Sequence, residues 1–426
     1  MVTTRGPAKN PTGRSGVRGT RRPKDRKAQV IRAAAETFNA QGYPATSMQA
    51  IAAKVGISAP ALYRHYPGKY ELFVVVVEGI VEALVDSTAF VDEVSADAVR
   101  SDAPAIFDRM LDALITAAIR TSSVGGLYLA NSRYLRPADR DRLTGRLAMV
   151  TARVQRCLAA LRPQLNAVEL RSLSMSVLSV TAAASHTRTT FPDDMVVRPV
   201  LREAARSVVA AQLPGADDLE TDSSSVWRVF TPGAGPYESL LNAASLLFGR
   251  QGYAETTVTE IAVAVGMPAS GFYRYFSSKS EVLVTALQHA VDRIAGELLA
   301  IVGVFADPRE ALSRLAHAYV ATVFCNPEVA ACYDTEWVNL TPTQRALLRD
   351  SERSIIELWS GPLSAIRPDL DDLRTKLVVR VLAVLVEDHA RVWRARAPGD
   401  CVPTAYPQAR LRAVMQAIMQ GRELPA

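Results

Sequence analysis

Apolar residues Met48, Ile51, Ala52 and Val55 recur at i, i+3, i+4 and i+7, which puts them on one face of a short helix. Gly56 ends that helix, Ile57 packs down, and Ser58 stands where its hydroxyl can cap a second helix, on whose inner face Leu62 and Tyr66 lie one turn apart. Two short helices sharing one small core across a glycine turn predict a helix-turn-helix, the second helix carrying its outward residues towards a DNA major groove. The pattern returns without a gap, with Val258, Ile261, Ala262, Val265, Gly266, Met267, Phe272 and Phe276 inside. A preceding helix repeats with it: Ile31, Ala34 and Phe38 before Gln41-Gly42-Tyr43, and Leu241, Ala244 and Phe248 before Gln251-Gly252-Tyr253. Glycine to glycine the copies lie 252 − 42 = 210 residues apart.

The outward residues of the second helix are Ala59, Pro60, Ala61, Tyr63, Arg64 and His65 in copy one, and Ala269, Ser270, Gly271, Tyr273, Arg274 and Tyr275 in copy two. A tip of small residues lets the backbone approach the bases. Tyr63, His65 and Lys69, like Tyr273, Tyr275 and Lys279, are types that reach phosphate oxygens and set register without reading sequence. With Thr46, Ser47 and Ser58, and Thr256 and Thr257, at the helix starts, they make up the candidate DNA-contact set. The copies differ at the caps. Pro268 replaces Ser58 and supplies no side-chain acceptor, whereas Thr257 and Glu260 form a capping box that copy one lacks.

These residues resemble the DNA-binding domain of the tetracycline-repressor (TetR) family of bacterial transcriptional regulators. The Thr-x4-Ile-Ala-x3-Gly, Tyr-x-x-aromatic and Lys-x-Glu pieces carry the resemblance, together with the preceding helix. It implies, in each copy, a three-helix head followed by a larger, all-helical ligand-binding and dimerising body. The expected fold is therefore all-α with two such units: a basic arm over 1–27, head one over 28–73, body one over 74–213, a linker over 214–236, head two over 237–283 and body two over 284–421.

Beyond the heads, Leu72, Val76, Val77, Ile80, Val81 and Leu84 predict a helix from about Lys69, the helical period outweighing the strand propensity of Val74 to Val77. Helices are expected over 106–120, 127–135, 139–161, 168–191 and 200–213, broken at Gly125-Gly126, Pro137, Pro163 and Pro192. The second half repeats the plan with 237–251, 258–265, 270–276, 280–302 and a helical body to about 420. Arg162-Pro163 and Arg367-Pro368, and His186 and His389, are weak landmarks shared by the bodies. The last two long helices of each half, 168–191 with 200–213 and 373–393 with 406–419, present broad apolar faces and are expected to pair the halves internally, with a homodimer as the alternative. The linker is rich in Gly, Pro, Ser and acids, yet Trp227, Val229 and Phe230 predict that part of it docks on a body.

A chain of 426 residues, 49% hydrophobic and 22% charged, has the composition of an ordinary globular protein of two to three domains. Charge changes the picture at one end. Residues 1–27 hold nine Lys or Arg against Asp25, a net 9 − 1 = +8, so the rest of a +6 chain sums to −2. A basic arm joined to a DNA-reading head is expected to add phosphate contacts or enter the minor groove. No apolar run approaches membrane-spanning length without a charge and the start is basic, so neither a membrane span nor a signal peptide is expected, and the location predicted is cytoplasmic.

Cys157, Cys325, Cys332 and Cys401 form no Cys-x-x-Cys and no zinc spacing, which leaves buried thiols, or a switch between Cys325 and Cys332. No nucleophile elbow, phosphate loop or His-Glu-x-x-His occurs, so neither an enzyme, a cofactor nor a metal is expected. For a small-molecule effector, Tyr319, Tyr333, Trp337 and Trp359 in copy two and Tyr128 and Tyr134 in copy one are the candidate ligand contacts. The function expected is an operator-binding transcriptional regulator, a repressor released by a small apolar or amphipathic effector. A sequence-tolerant, nucleoid-type DNA binder and an intracellular ligand-binding module with structural heads are the rivals.

Overall fold

The computed structural model describes residues 23–121, 127, 131–187, 191, 193–215, 228–396 and 405–423. Most of the basic arm (1–22), Gly125-Gly126, Tyr128, Pro192, the linker centre with Trp227, Cys401 and the side chain of His186 lie outside the described residues. The first half runs α1 (Pro23–Ala45), α2 (Met48–Val55), α3 (Ala59–Tyr63), α4 (Lys69–Thr88), α5 (Phe90–Glu93), α6 (Ala96–Ser101), α7 (Ala103–Arg120), a 3-10 turn Ser132–Tyr134, α8 (Pro137–Leu161), α9 (Ala167–Thr187) and α10 (Asp194–Ala210). The second runs α11 (Pro236–Gln251), α12 (Val258–Ala264), α13 (Ala269–Phe272), α14 (Lys279–Val304), α15 (Pro308–Cys325), α16 (Pro327–Glu336), a 3-10 turn Trp337–Asn339, α17 (Pro342–Ile366), α18 (Asp372–Arg396) and α19 (Ala405–Gln420). No strand occurs among the described residues, so the fold is all-α. No described helix is long and apolar enough to cross a membrane.

Period wins over propensity in α4, where Leu72, Phe73, Val76, Val77, Ile80 and Val81 are all buried. Of the helix anticipated over 127–135, Leu127 and Asn131 are helical, 128–130 lie outside the described residues, and Ser132–Tyr134 closes as a 3-10 turn. One expectation shrinks: the helix over 270–276 is only Ala269–Phe272, a stretch with Gly271 inside and no side-chain cap at Pro268. The short helices α5 and α6 carry too few residues to show a period and went unanticipated.

The halves meet along their last long helices: α9 packs on α18 and α10 on α19. Leu173, Val177, Val180 and Ala184 are buried in one core with Leu377, Val381, Val384 and Leu385. Polar contacts that cross this seam include Ser176 Oγ to His389 Nε2 at 3.2 Å and Arg367 Nη2 to Glu203 Oε1 at 2.6 Å. At the described end of the linker Val229 and Phe230 are buried on the second half, and Val229 N–H donates to Asn326 Oδ1 at 2.9 Å.

Candidate nucleic-acid interface

Each head is built the same way from its sequence. Ser47 Oγ accepts from Ala50 N–H to start α2, and Gly56 ends that helix at φ 71°. Ser58 Oγ accepts from Ala61 N–H at 3.4 Å, a long cap. In copy two Thr257 and Glu260 make the reciprocal capping box, Gly266 turns the chain at φ 73°, and Pro268 gives α13 no side-chain cap. Ile51, Ala52 and Leu62, and Ile261, Ala262 and Phe272, close the two small cores without exposure. On the opposite face Tyr63, Arg64, His65, Tyr273, Arg274 and Tyr275 are exposed, beside exposed Ser47, Ser58, Pro60, Thr257 and Ser270 and half-buried Ala59, Ala61, Ala269 and Gly271.

Four residues of the candidate DNA-contact set face inward instead. Thr46 and Thr256 are buried, their hydroxyls donating to Gly42 O and Gly252 O, both at 2.7 Å. Lys69 Nζ donates to Tyr43 O at 2.9 Å and Pro44 O at 3.1 Å, and Lys279 Nζ to Tyr253 O at 2.7 Å and Thr256 O at 2.8 Å. Each ammonium also sits over a tyrosine ring, Tyr43 at 4.5 Å and Tyr253 at 4.3 Å. Burial lowers the basicity of both lysines. The reason is backbone geometry: Gly42 and Gly252 turn the chain at φ 76° and 95°, and their neighbours' carbonyls, freed from the helix, need donors. These side chains therefore hold the head against α4 and α14.

The seats of the heads cross between the halves. A Cβ on Gly42 would lie 3.1 Å from Val338 Cγ2, and one on Gly252 would lie 2.9 Å from Arg133 Cζ. Arg133 and Val338 are themselves 338 − 133 = 205 residues apart, the spacing of Pro137 and Pro342 at the starts of α8 and α17. Beyond Gly252, Arg133 Nη2 reaches Glu336 Oε1 at 2.8 Å, and Glu336 is fully buried. Burial lowers the basicity of Arg133, but the charge and hydrogen bond of Glu336, joined by Tyr134, together raise it by more. In the first half Asn131 Oδ1 accepts from Tyr43 N–H at 3.2 Å and Tyr134 packs 5.1 Å from the Tyr43 ring. Arg133, Glu336 and Val338 escaped the reading of the sequence; only the 205-residue spacing of the following prolines hinted that the two turns are equivalent.

The second body holds a cavity of about 120 Å³ between α14, α15, α16, α17 and α18. Of the aromatic candidates, Tyr319, Tyr333 and Trp359 lie on its wall. Trp337 packs at a tilt against Tyr333, 5.4 Å between ring centroids, outside the lining, Tyr134 serves the head seat, and Tyr128 lies outside the described residues. Cys157 and Cys332 are buried thiols; burial pushes Cys157 up to about 11 and Cys332 well above its usual range, so neither is a reactive thiolate.

Comparison with known proteins agrees with this geometry. The model of "Bacterial regulatory proteins, tetR family" matches residues 30–76 and 240–286. The HTH-type transcriptional activator FasR of Mycolicibacterium smegmatis is 42% identical over 78 residues, 18% of this chain and 35% of that protein, so the match spans about a third of the relative. The HTH-type transcriptional regulator TcmR of Streptomyces glaucescens is 30% identical over 200 residues, 43% of this chain and 87% of TcmR. A crystal structure of a TetR-family transcriptional regulator from Bordetella parapertussis superposes with TM-score 0.39 at 21% identity, covering 43% of this chain and 93% of that one.

Proposed function

This chain belongs to the tetR family of bacterial regulatory proteins, and from that premise we propose that it is a transcriptional regulator that binds operator DNA with two unlike heads carried on one chain. The observation that carries the reading is the doubled exposed face, Tyr63-Arg64-His65 and Tyr273-Arg274-Tyr275, each behind a small-residue tip and next to a firmly seated head. Tyr and His at the face supply phosphate donors, and the differing tips call for an imperfect palindrome with unlike half-sites.

The two halves act as an internal pair. Support comes from the apolar α9–α18 and α10–α19 seam and from the linker, which holds the partner half at a millimolar-range effective concentration. Light scattering on the purified protein should give a particle of about 46.1 kDa; a stable species of twice that mass would instead favour a homodimer.

A small effector in the second-body cavity releases the DNA. Tyr333 on the cavity wall lies one turn before Glu336 on α16, so a ligand that moves Tyr333 bears on the residue that Arg133 grips beneath head two. Selection of bound sequences from random DNA with the full chain tests the whole reading. A two-part consensus with a steep salt slope is expected. Affinity without sequence preference would replace it with a nucleoid-type role, and absence of salt-sensitive binding with a ligand-binding module.

A further inference from the structure

The second-body cavity has two unlike ends. Val229, Val291, Val323, Ile355 and Trp359 make most of the wall apolar, while Tyr319, Tyr333, Glu352, Arg380 and Glu387 gather at one side. Their mutual contacts are long for charged partners: Arg380 Nη1 stands 3.7 Å from Glu352 Oε1, and Tyr319 Oη donates to Glu387 Oε1 at 3.3 Å. The Tyr333 hydroxyl is buried with no hydrogen bond of good geometry, and the Glu352 carboxylate is its neighbour. A buried hydroxyl without a partner costs free energy, which a ligand can recover.

We propose that this cavity binds an uncharged, ring-sized alcohol or phenol whose hydroxyl accepts from Tyr333 Oη and donates to the Glu352 carboxylate. The inference rests on the reading of this cavity as the effector site and names the effector's class. Burial, then the charge of Glu352, push Tyr333 far above the usual phenol range, so its proton stays on the oxygen and asks for an acceptor. An ammonium brings no lone pair and lies beside Arg380, which burial makes less basic but Glu387, Glu352 and the two tyrosines together more than restore to a cation. A carboxylate brings lone pairs but sets its charge against Glu352 and Glu387. A hydroxyl alone serves both neighbours without adding a charge to a buried site. Size sets the limit: a dry apolar cavity of about 150 Å³ holds benzene, so about 120 Å³ leaves room for no more than one six-membered ring against Trp359 and the valines.

Four probes of one shape test this on the full chain at neutral pH by calorimetric titration: cyclohexanol, cyclohexylamine, cyclohexanecarboxylate and methylcyclohexane. Cyclohexanol should bind about tenfold or more tighter than each of the others, as expected for a hydrogen bond to a charged group. Tyr333→Phe and Glu352→Gln should each remove that advantage and leave methylcyclohexane unchanged. Ala383→Leu, which fills the cavity from α18, should weaken all four. Tighter binding of the amine or the acid, equal binding of methylcyclohexane, or no saturable binding of cyclohexanol would each overturn the proposal. DNA affinity measured in parallel separates the two claims: cyclohexanol that binds as described without altering DNA affinity upholds the site and overturns its role as effector site.

Discussion

Head one rests on Val338 of the opposite half and head two on Arg133, pseudo-equivalent positions that have diverged from an apolar to a charged residue. At the partner position 205 residues apart, Asn131 accepts from the first head's own backbone whereas Glu336 is buried against Arg133. A two-fold contact between identical subunits would make these pairs the same. Fusing both units in one chain frees each side to change alone. One seat has become a van der Waals contact and the other an ion pair that holds only if the halves stay together. Around the heads the asymmetry continues: the +8 arm joins head one, while head two follows a linker carrying Asp217, Asp218, Glu220 and Asp222.

That contrast can be broken at several points. Deleting residues 1–22 removes six cations, Arg5, Lys9, Arg14, Arg18, Arg21 and Arg22. If all six meet phosphates, the slope of log affinity against log salt flattens by about 5, with the preferred sequence retained; an unchanged slope in a salt titration would remove the arm from the interface. Next in size, Arg133→Ala leaves Glu336 buried without its cation and should cost about 3 kcal/mol in urea denaturation, while Val338→Ala on the other seat should cost about 1 kcal/mol. Equal losses would mean that the two seats are energetically alike.

The heads themselves come third. Ser58 caps α3, whereas α13 has Pro268 and a Gly271 that weakens a helix by up to about 1 kcal/mol. Head one should therefore dominate, and Tyr63→Ala should weaken operator binding about tenfold, the worth of a hydrogen bond to a charged group, with Tyr273→Ala costing less. A reversed order in a binding titration would transfer the leading role to head two.

The smallest effect sits in the seam. Burial holds His389 below its usual value, outweighing the upward pull of its hydrogen bond to Leu385 O and the charge of Asp388. The unfolded chain then binds a proton near pH 6.5 that the folded chain refuses. Stability is present above that pH and falls as pH drops towards the folded value, by at most about 1.4 kcal/mol per unit. Denaturation midpoints for the protein and for His389→Gln should converge at low pH; parallel curves would show that His389 does not titrate.

Much of the architecture was legible because it is local. The i, i+3, i+4, i+7 spacing of Met48, Ile51, Ala52 and Val55, the glycine turn and the exact return of both 210 residues later fix two helix-turn-helix heads, since side-chain direction on a helix follows from sequence spacing alone. The apolar faces of α9 and α18 likewise announced a partner. What each polar side chain does was decided by neighbours distant in the chain. Lys69 read as a phosphate contact and Thr46 as a DNA contact at a helix start, and only the folded head, with carbonyls of Tyr43, Pro44 and Gly42 left over at the break in α1, turns them inward. Tyr319, Tyr333 and Trp359 were named as aromatics, but their sharing of one cavity with Glu352 and Arg380 needs four helices in register. The pairing of Arg133 with Glu336, 203 residues apart, has no sequence signal at all, because burial and electrostatic partnership depend on how whole helices pack, a property that no spacing along the chain encodes.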